Sequence, residues 1–341
     1  MDKKVSLKEI AEMCGVSVAT VSRVINQNGR FSKETDKKVR EVIEQYNYRP
    51  NQIAKGLRTN KIDTIGIIVP DITNEFFAML ILALQKRLFQ ENYSCIIFNT
   101  NESKEIERRC VASMMALNIS GIVSVNGRLE LSKMLQSDMP VVYIDRQPEE
   151  ISNRRNAMFL SSDHEYGAYL AGRELARCGC RRVACITALW EASTTQVRNT
   201  GFARACREFG MELPQELIFS PAEVSRQSGY EIVSKMLDGG AEFDGIFCQT
   251  DWLAIGALAA LLDHGIRVPD QVQLVGFDDT RASQIAQIPL TTVHQPSSEL
   301  GVQTADAILR MANGYVPEGA MKKLPVTLIR RATTRPREGE R

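Results

Sequence analysis

The stretch VSLKEIAEMCGVSVATVSRVIN, Val5–Asn26, decides how the N-terminal region is read, because it describes two short helices around a tight turn. Ser6 and Glu9 have the spacing of a capping box, which satisfies the orphan amides of a first helix carrying Leu7, Ile10 and Ala11 inward. Gly15 supplies the turn, and Ser17 caps a second helix with Val21, Val24 and Ile25 on its inner side. The outward face of that helix holds Thr20, Ser22, Arg23 and Asn26. Short hydroxyls, an amide and a fork-shaped cation suit phosphate oxygens and base edges. The pattern predicts a helix-turn-helix directed at DNA.

Moving outward, Ser32 is placed to cap a third helix with Val39, Val42, Ile43 and Tyr46 on one face, closing a small core. Residues 1–60 hold 12 Lys+Arg against 7 Asp+Glu, whereas the whole chain has 42 against 41. A basic head on an acidic body suits a local nucleic-acid contact rather than a uniformly adhesive surface. Tyr48-Arg49-Pro50-Asn51 breaks the helical pattern, since proline disfavours a helical residue before it. Asn51–Leu57 (NQIAKGL) then has room for one or two turns, too few for stability in isolation, and Gly56 weakens them further. The segment reads either as a passive linker or as a helix that folds on DNA.

From Thr64 the pattern changes to short β-branched runs alternating with amphipathic helices: TIGIIV from Thr64, SCIIF from Ser94, GIVSV from Gly121 and PVVYI from Pro140. VACIT from Val183, GIF from Gly245 and LVGF from Leu274 continue it. Strands separated by helices predict an α/β body of parallel sheets with covering helices. Seven or more such units exceed one open sheet, so the body is divided into two lobes. Ligands in such sheets sit beyond the carboxyl ends of strands. Polar clusters occur there: Asp71–Asn74, Asp145-Arg146 and Asp278-Asp279.

With 341 residues and 44% hydrophobic composition, two or three domains are expected. No apolar run approaches the roughly 18 residues of a membrane span, and no signal-peptide core opens the chain. A cytoplasmic protein is expected. The eight cysteines lack metal spacing, and most are read as buried small hydrophobes in a reducing compartment. The three histidines, His164, His264 and His294, have neither metal spacing nor a nucleophile partner and are read as structural. No cofactor or metal site is implied. Asp163 is expected to cap the helix through Tyr169 and Leu175, and Asp279 to cap the segment after it.

The segments GVSVATVSRVIN, YRPNQIAKGL, IGIIVPDITNEFF, YIDR, RNTGF, DWLAIGA and IRVPDQVQLVGFDD resemble, in order and over essentially the whole chain, the LacI/GalR family of bacterial transcriptional regulators. The resemblance implies a homodimer on a near-palindromic operator in double-stranded DNA. Its hinge helices would fold in the minor groove below a periplasmic-binding-protein-like body. It divides the chain into a head at 1–50, a hinge and linker at 51–62, a first lobe at 63–162 plus 295–324, and a second at 163–294 plus 325–341. The crossovers then fall near Ser162, His294 and Leu324.

By the same resemblance, Ser17 opens the recognition helix and Val18 and Ala19 occupy its base-choosing positions. Both are apolar, suited to thymine methyls or local shape. Arg23 is the candidate for a bidentate guanine contact, with Thr20, Ser22 and Asn26 holding phosphate and register. Asn51, Ala54, Lys55 and Leu57 fall on the hinge contacts, Leu57 as the wedge in the central base step. The family's usual Arg-Ser before that leucine is Lys55-Gly56 here. In the cleft, Phe76 and Phe77 match aromatics that stack on a sugar ring. Asn74, Asp145, Arg146, Arg198, Asp278 and Gln295 match groups that bond its hydroxyls. Thr250 stands where an asparagine is usual, and Val224 where a third aromatic is usual, with Trp252 a possible substitute.

The function expected is an effector-gated repressor of carbohydrate-use genes that binds operator DNA and a small sugar and has no membrane partner. The alternative keeps the DNA role under a purine, a sugar phosphate or a protein partner, including co-repression. An enzyme would need a nucleotide fingerprint, a P-loop or a nucleophile elbow, and none of these motifs is present. A free sugar carrier does not account for the basic head.

Overall fold

The serine caps of the N-terminal region are made. Ser6 Oγ accepts from the Glu9 amide at 3.2 Å and the Ser6 amide donates to Glu9 Oε2 at 2.7 Å, opening α1 (Leu7–Cys14). Gly15 takes φ +65°, the left-handed cap that ends α1 and turns the chain. Ser17 caps α2 (Val18–Asn26) and Ser32 caps α3 (Lys33–Gln45), each accepting an amide three residues on at 3.1 Å. Ile10, Ala11, Cys14, Val21, Val24 and Val39 are buried together, with Leu7, Ile25, Val42 and Ile43 against them. Tyr46 departs from the sequence reading: it is 44% exposed. Helix α3 stops at Gln45, and the Tyr48 amide returns to the Ile43 carbonyl at 2.9 Å, so Tyr48 packs on this core instead.

The computed structural model describes residues 5–46, 48, 62–125, 127, 131–135, 138–146, 156–189, 193–317 and 321–335. The hinge positions Asn51, Ala54, Lys55 and Leu57 lie outside the described residues. Contacts divide the chain at Ile62 into two units, the second running from Asp63.

The second unit holds two six-stranded sheets among the described residues. The first is built from β1 (Ile62–Val69), β2 (Ser94–Asn99), β3 (Ile119–Val125), β4 (Val141–Ile144), β5 (Ala157–Ser162) and β11 (Met321–Leu324), in the order β11-β5-β4-β3-β1-β2. The second uses β6 (Val183–Ile186), β7 (Ile218–Phe219), β8 (Gly245–Cys248), β9 (Gln273–Asp278), β10 (Thr291–His294) and β12 (Thr327–Ile329), in the order β12-β10-β9-β8-β6-β7. Only β12 runs antiparallel among the second sheet's paired strands. Their central strands are fully buried, as β-branched runs covered on both faces require.

Helices α4 (Glu75–Gln90) and α11 (Ser297–Ala312) pack together on the first sheet, and α5 (Lys104–Ala116) covers its other face. On the second sheet α6 (His164–Arg177) pairs with α7 (Ser193–Phe209), and α8 (Arg226–Asp238) pairs with α9 (Asp251–Asp263). The chain passes between the two lobes after Ser162, after His294 and between β11 and β12. Strand order reverses next to β1 and β6, which opens a crevice at the strand carboxyl ends of each sheet.

Asp163 caps α6 as expected, accepting from the Tyr166 amide at 3.2 Å. Asp279 does not cap. Thr280 does this for the short α10 (Arg281–Gln284), while Asp279 pairs with His294 Nδ1 at 2.9 Å and Arg331 at 2.5 Å. The Arg331 guanidinium and the His294 ring together outcompete backbone amides for its carboxylate. The thiols are packing elements: burial pushes Cys178 and Cys206 up to about 12, far from reactive thiolates.

Candidate functional site

Two surfaces carry the predicted chemistry, one in each unit. In the first, Ser17, Val18, Ala19 and Arg23 are exposed along the start and outer side of α2, and Thr20 and Ser22 are half-buried. Ser17 Oγ serves both the Thr20 amide and, at 2.9 Å, the Thr20 hydroxyl. These bonds fix the N-terminus of α2, with Ser17, Val18 and Ala19 exposed at it. Asn26 is the last residue of α2. The aliphatic stem of Arg23 lies over Gly29, where a Cβ would meet its Cδ at 3.2 Å, so Gly29 leaves room for that side chain.

In the second unit a cavity of about 600 Å³ opens between the two lobes. That volume lies within the roughly 300–1,000 Å³ typical of small-molecule sites. The structure brings eight of the nine expected effector residues to its wall: Asn74, Phe76, Phe77, Asp145, Arg198, Thr250, Asp278 and Gln295. Arg146 is not among the described lining residues, and neither is Trp252. The Arg146 guanidinium lies 3.5 Å from the Gly127 carbonyl, because consecutive side chains leave the β4 end in different directions. The sequence reading placed Asp71 only within a polar cluster at a strand end and missed Asn101, Glu102 and Glu223 on the wall. Their one available signal is that acidic and amide side chains follow the strand ends.

Some wall residues are already committed to local structure. Asn74 Oδ1 caps α4 through the Phe76 amide at 3.0 Å, and the Thr250 hydroxyl caps α9 through the Leu253 amide at 3.3 Å. Phe76 is 6% exposed and belongs mainly to the core, leaving Phe77, edge-on to it at 5.4 Å, as the accessible aromatic. Four wall residues hold positive φ without being glycine: Asn101 at 48°, Glu102 at 58°, Asp145 at 63° and Asp278 at 123°. Such backbone costs of order 1–3 kcal/mol per residue and persists where the surroundings over-determine it, as at binding sites.

The centre of the site is a buried charged network. Arg198 Nη1 donates to the Gln249 carbonyl at 2.5 Å, its Nη2 lies 3.2 Å from His164 Nδ1, and its guanidinium stacks on Phe277 at 3.9 Å. His164 Nε2 meets Asp145 Oδ1 at 2.9 Å. Gln295 Nε2 donates to Asp278 Oδ1 at 2.7 Å, while its Oε1 is buried with no hydrogen-bond partner among the described residues. Burial pushes the Asp278 carboxyl up to about 8, only partly opposed by the Arg198 charge and added to by Asp251. Burial likewise lowers Arg198, against the pull of Asp278 and Asp145. The wall therefore offers carboxylates, a held guanidinium, an amide acceptor and an aromatic face. That set is chemically suited to vicinal hydroxyls, since one partner accepts and the other donates.

The Asp278 shift has a stability consequence with a definite sign. The folded protein keeps a proton there that the unfolded chain releases above the ordinary carboxylate range. Stability from this group is present at acid pH and is lost as pH rises toward about 8. Asp278→Asn removes that loss, so the melting temperature of the variant relative to wild type should climb between pH 5 and pH 8. A difference independent of pH would show that Asp278 does not titrate in this window.

A family model described as bacterial regulatory proteins, lacI family, matches residues 6–51, and one described as a periplasmic binding protein-like domain matches residues 173–334. The chain is 30% identical over 332 residues to the ribose operon repressor of Halalkalibacterium halodurans, covering 97% of each protein. It is 29% identical over 342 residues to the HTH-type transcriptional repressor PurR of Pasteurella multocida, covering 97% of this chain and 99% of that one. Among solved structures it is similar to the lac repressor dimer bound to operator and the anti-inducer ONPF. The TM-score is 0.87 at 25% identity, over 97% of this chain and 99% of that chain.

Proposed function

The chain belongs to the lacI family of bacterial regulatory proteins and is a DNA-binding transcriptional repressor controlled by a small molecule; we propose that this molecule is an uncharged sugar held in the interlobe cavity, and that carbohydrate-use genes are the target. The observation that carries the reading is the charge of the wall. Asp71, Glu102, Asp145 and Glu223 stand against Arg198 as the cation among the described lining residues, and Asp278, pushed up to about 8, adds a neutral carboxyl at neutral pH. A phosphate group would enter that field against several carboxylates in a low-dielectric cleft, whereas neutral hydroxyls donate to them without repulsion. Phe77 supplies an apolar face for the ring C–H groups.

In this reading the protein acts in the cytoplasm as a homodimer. The heads, residues 1–50, grip a near-palindromic operator through Ser17, Val18, Ala19, Thr20, Ser22, Arg23 and Asn26. Residues 51–62 form the hinge, with Asn51, Ala54 and Lys55 on the backbone and Leu57 as the wedge. Lobes 63–162 plus 295–324 and 163–294 plus 325–341 close on the sugar through Asn74, Phe77, Asp145, Arg198, Asp278 and Gln295. A coupling of about 1–3 kcal/mol between cavity and hinge would change operator affinity roughly 5- to 150-fold.

A thermal-shift panel of pentoses, hexoses, disaccharides, sugar phosphates and purines tests this. A neutral sugar at 100 times its dissociation constant stabilises by about 2.7 kcal/mol, a shift of roughly 5–10 °C for a body of this size. Operator titration with that sugar then separates induction from co-repression. Stabilisation by a sugar phosphate or a purine, with neutral sugars silent, would overturn the reading. Silence across the panel would transfer control to a protein partner.

A further inference from the structure

His164 does not line the cavity, yet it lies between two residues that do. It is the first residue of α6, in the second lobe, and its side chain is 3% exposed. Nε2 lies 2.9 Å from Asp145 Oδ1, at the end of β4 in the first lobe. Nδ1 lies 3.4 Å from Arg198 Nε and 3.2 Å from Arg198 Nη2, on α7. Arginine has only N–H donors, so Nδ1 has to present its lone pair and the ring proton has to sit on Nε2. That proton then points at a carboxylate, which has only acceptors. One tautomer of a neutral ring satisfies both partners, and no other protonation state does.

The surroundings keep the ring neutral. Burial lowers the imidazole pKa, Asp145 and the adjoining Asp163 oppose that, and the Arg198 cation adds to it. The positive end of the α6 dipole acts in the same sense as Arg198. The other neighbour is the Phe277 ring, 6.0 Å between centroids, which carries no proton. Phe277 also lies beneath Arg198, while Asp278 acts on the guanidinium as its main opposing charge.

We propose that His164 is a positioning residue that fixes Asp145 of one lobe and Arg198 of the other in a single geometry, through a neutral Nε2–H imidazole clamped between them. The bond to Asp145 crosses the interlobe cleft, so the carboxylate and the guanidinium that would grip one ligand are registered before it arrives. Preorganisation of this kind reduces the ordering cost at binding. His164 also ties lobe closure to those two side chains, because the Nε2–Asp145 bond joins a side chain of each lobe. The inference rests on the cavity being the effector site, and its test reads the His164 geometry with no effector added.

The test uses the full-length protein with selectively ¹⁵N-labelled histidine and arginine and no ligand. With three histidines in the chain, His164 is assigned by substitution. At pH 7 its Nδ1 should resonate as an unprotonated nitrogen and its Nε2 as a protonated one, and Arg198 Nε–H should exchange slowly with water. In His164→Leu, which keeps bulk but removes both nitrogens, the protected Arg198 signal should be lost while operator binding persists. His164→Asn should restore it, because Asn Oδ1 occupies the place of Nδ1, although the shorter amide does not reach Asp145. An Nδ1–H tautomer, a doubly protonated ring, or an Arg198 signal unchanged in His164→Leu would each overturn the proposal. If the leucine variant does not fold, the wild-type tautomer and the asparagine variant decide. A failed sugar screen leaves this result standing and bears only on the effector.

Discussion

Gly256→Ala is expected to destabilise the second lobe by about 3 kcal/mol, at the upper end of overpacking costs. A Cβ built at Gly256 lies 1.9 Å from the Arg226 carbonyl oxygen and 2.8 Å from the Tyr230 amide nitrogen. Both obstacles are backbone of α8, so no rotamer change relieves them. Gly229 of α8 faces the reciprocal problem, its Cβ falling 2.2 Å from the Leu253 carbonyl of α9. The two helices cross at glycine on both sides, and alanine forces them apart by more than an ångström. Two effects oppose each other here. Alanine favours a helix over glycine by about 1 kcal/mol, which stabilises the variant. The steric term is larger because parting α8 from α9 loosens Leu253, Ala254, Ala257 and Val233, all buried in one cluster. For a unit of this size the melting temperature should fall by roughly 6–12 °C. Differential scanning calorimetry measures it directly, and an unchanged or raised melting temperature would show that the crossing relaxes freely.

That glycine pair illustrates what was and was not legible in the chain. The DWLAIGA segment marks the start of α9, but nothing local says that Gly256 meets a second helix 30 residues earlier at Arg226. Information carried by a run of neighbours was readable. The capping box at Ser6, the turn at Gly15 and the β-branched strands from Thr64 to Leu274 all have local physical causes. Strand β5, reading AMFLSS, and the edge strand β11, reading MKKL, lack such runs and pass unnoticed. Their extended state comes from pairing, β5 with β4 on one side and with β11 on the other, Met321 opposite Phe159, a tertiary effect.

The cavity divides in the same way. Positions after strand ends tell where polar groups collect, and the family resemblance tells which ones, so Asp145, Arg198, Asp278 and Gln295 are legible in the sequence. Arg146 matches a hydroxyl-bonding position by resemblance, but its guanidinium turns to the Gly127 carbonyl instead, a direction that a sequence match does not carry. His164 was read as merely structural because its two partners are 19 and 34 residues away. Long-range electrostatic roles have no periodicity to betray them.

Arg198→Met is expected to abolish the response to the effector while the head keeps its operator affinity. Methionine is unbranched and apolar, so it still covers Phe277 where the guanidinium now stacks at 3.9 Å. What it removes is the cation held against Asp278, the donors to the Gln249 carbonyl and His164 Nδ1, and the outer N–H groups available to a ligand. A hydrogen bond to a charged group is worth about 1.5–3 kcal/mol, so losing two to a sugar weakens binding by two orders of magnitude or more. Stability falls as well. Removing one member of a buried ion pair typically costs 3–5 kcal/mol, because the other charge is left without compensation. Here the cost lies at or below the lower figure at neutral pH, since Asp278, pushed up to about 8, already holds its proton with Arg198 in place and ionises only in alkali. The penalty should therefore grow at alkaline pH. Arg198→Met with Asp278→Asn removes both charges, and that double variant should recover much of the lost stability while remaining blind to the effector. Calorimetry of the two variants at pH 7 and pH 9, with operator titration alongside, tests all three points. If the double variant melts no higher than the single one, the stabilising partner of Arg198 is not Asp278, and the electrostatic account of this cavity fails with it.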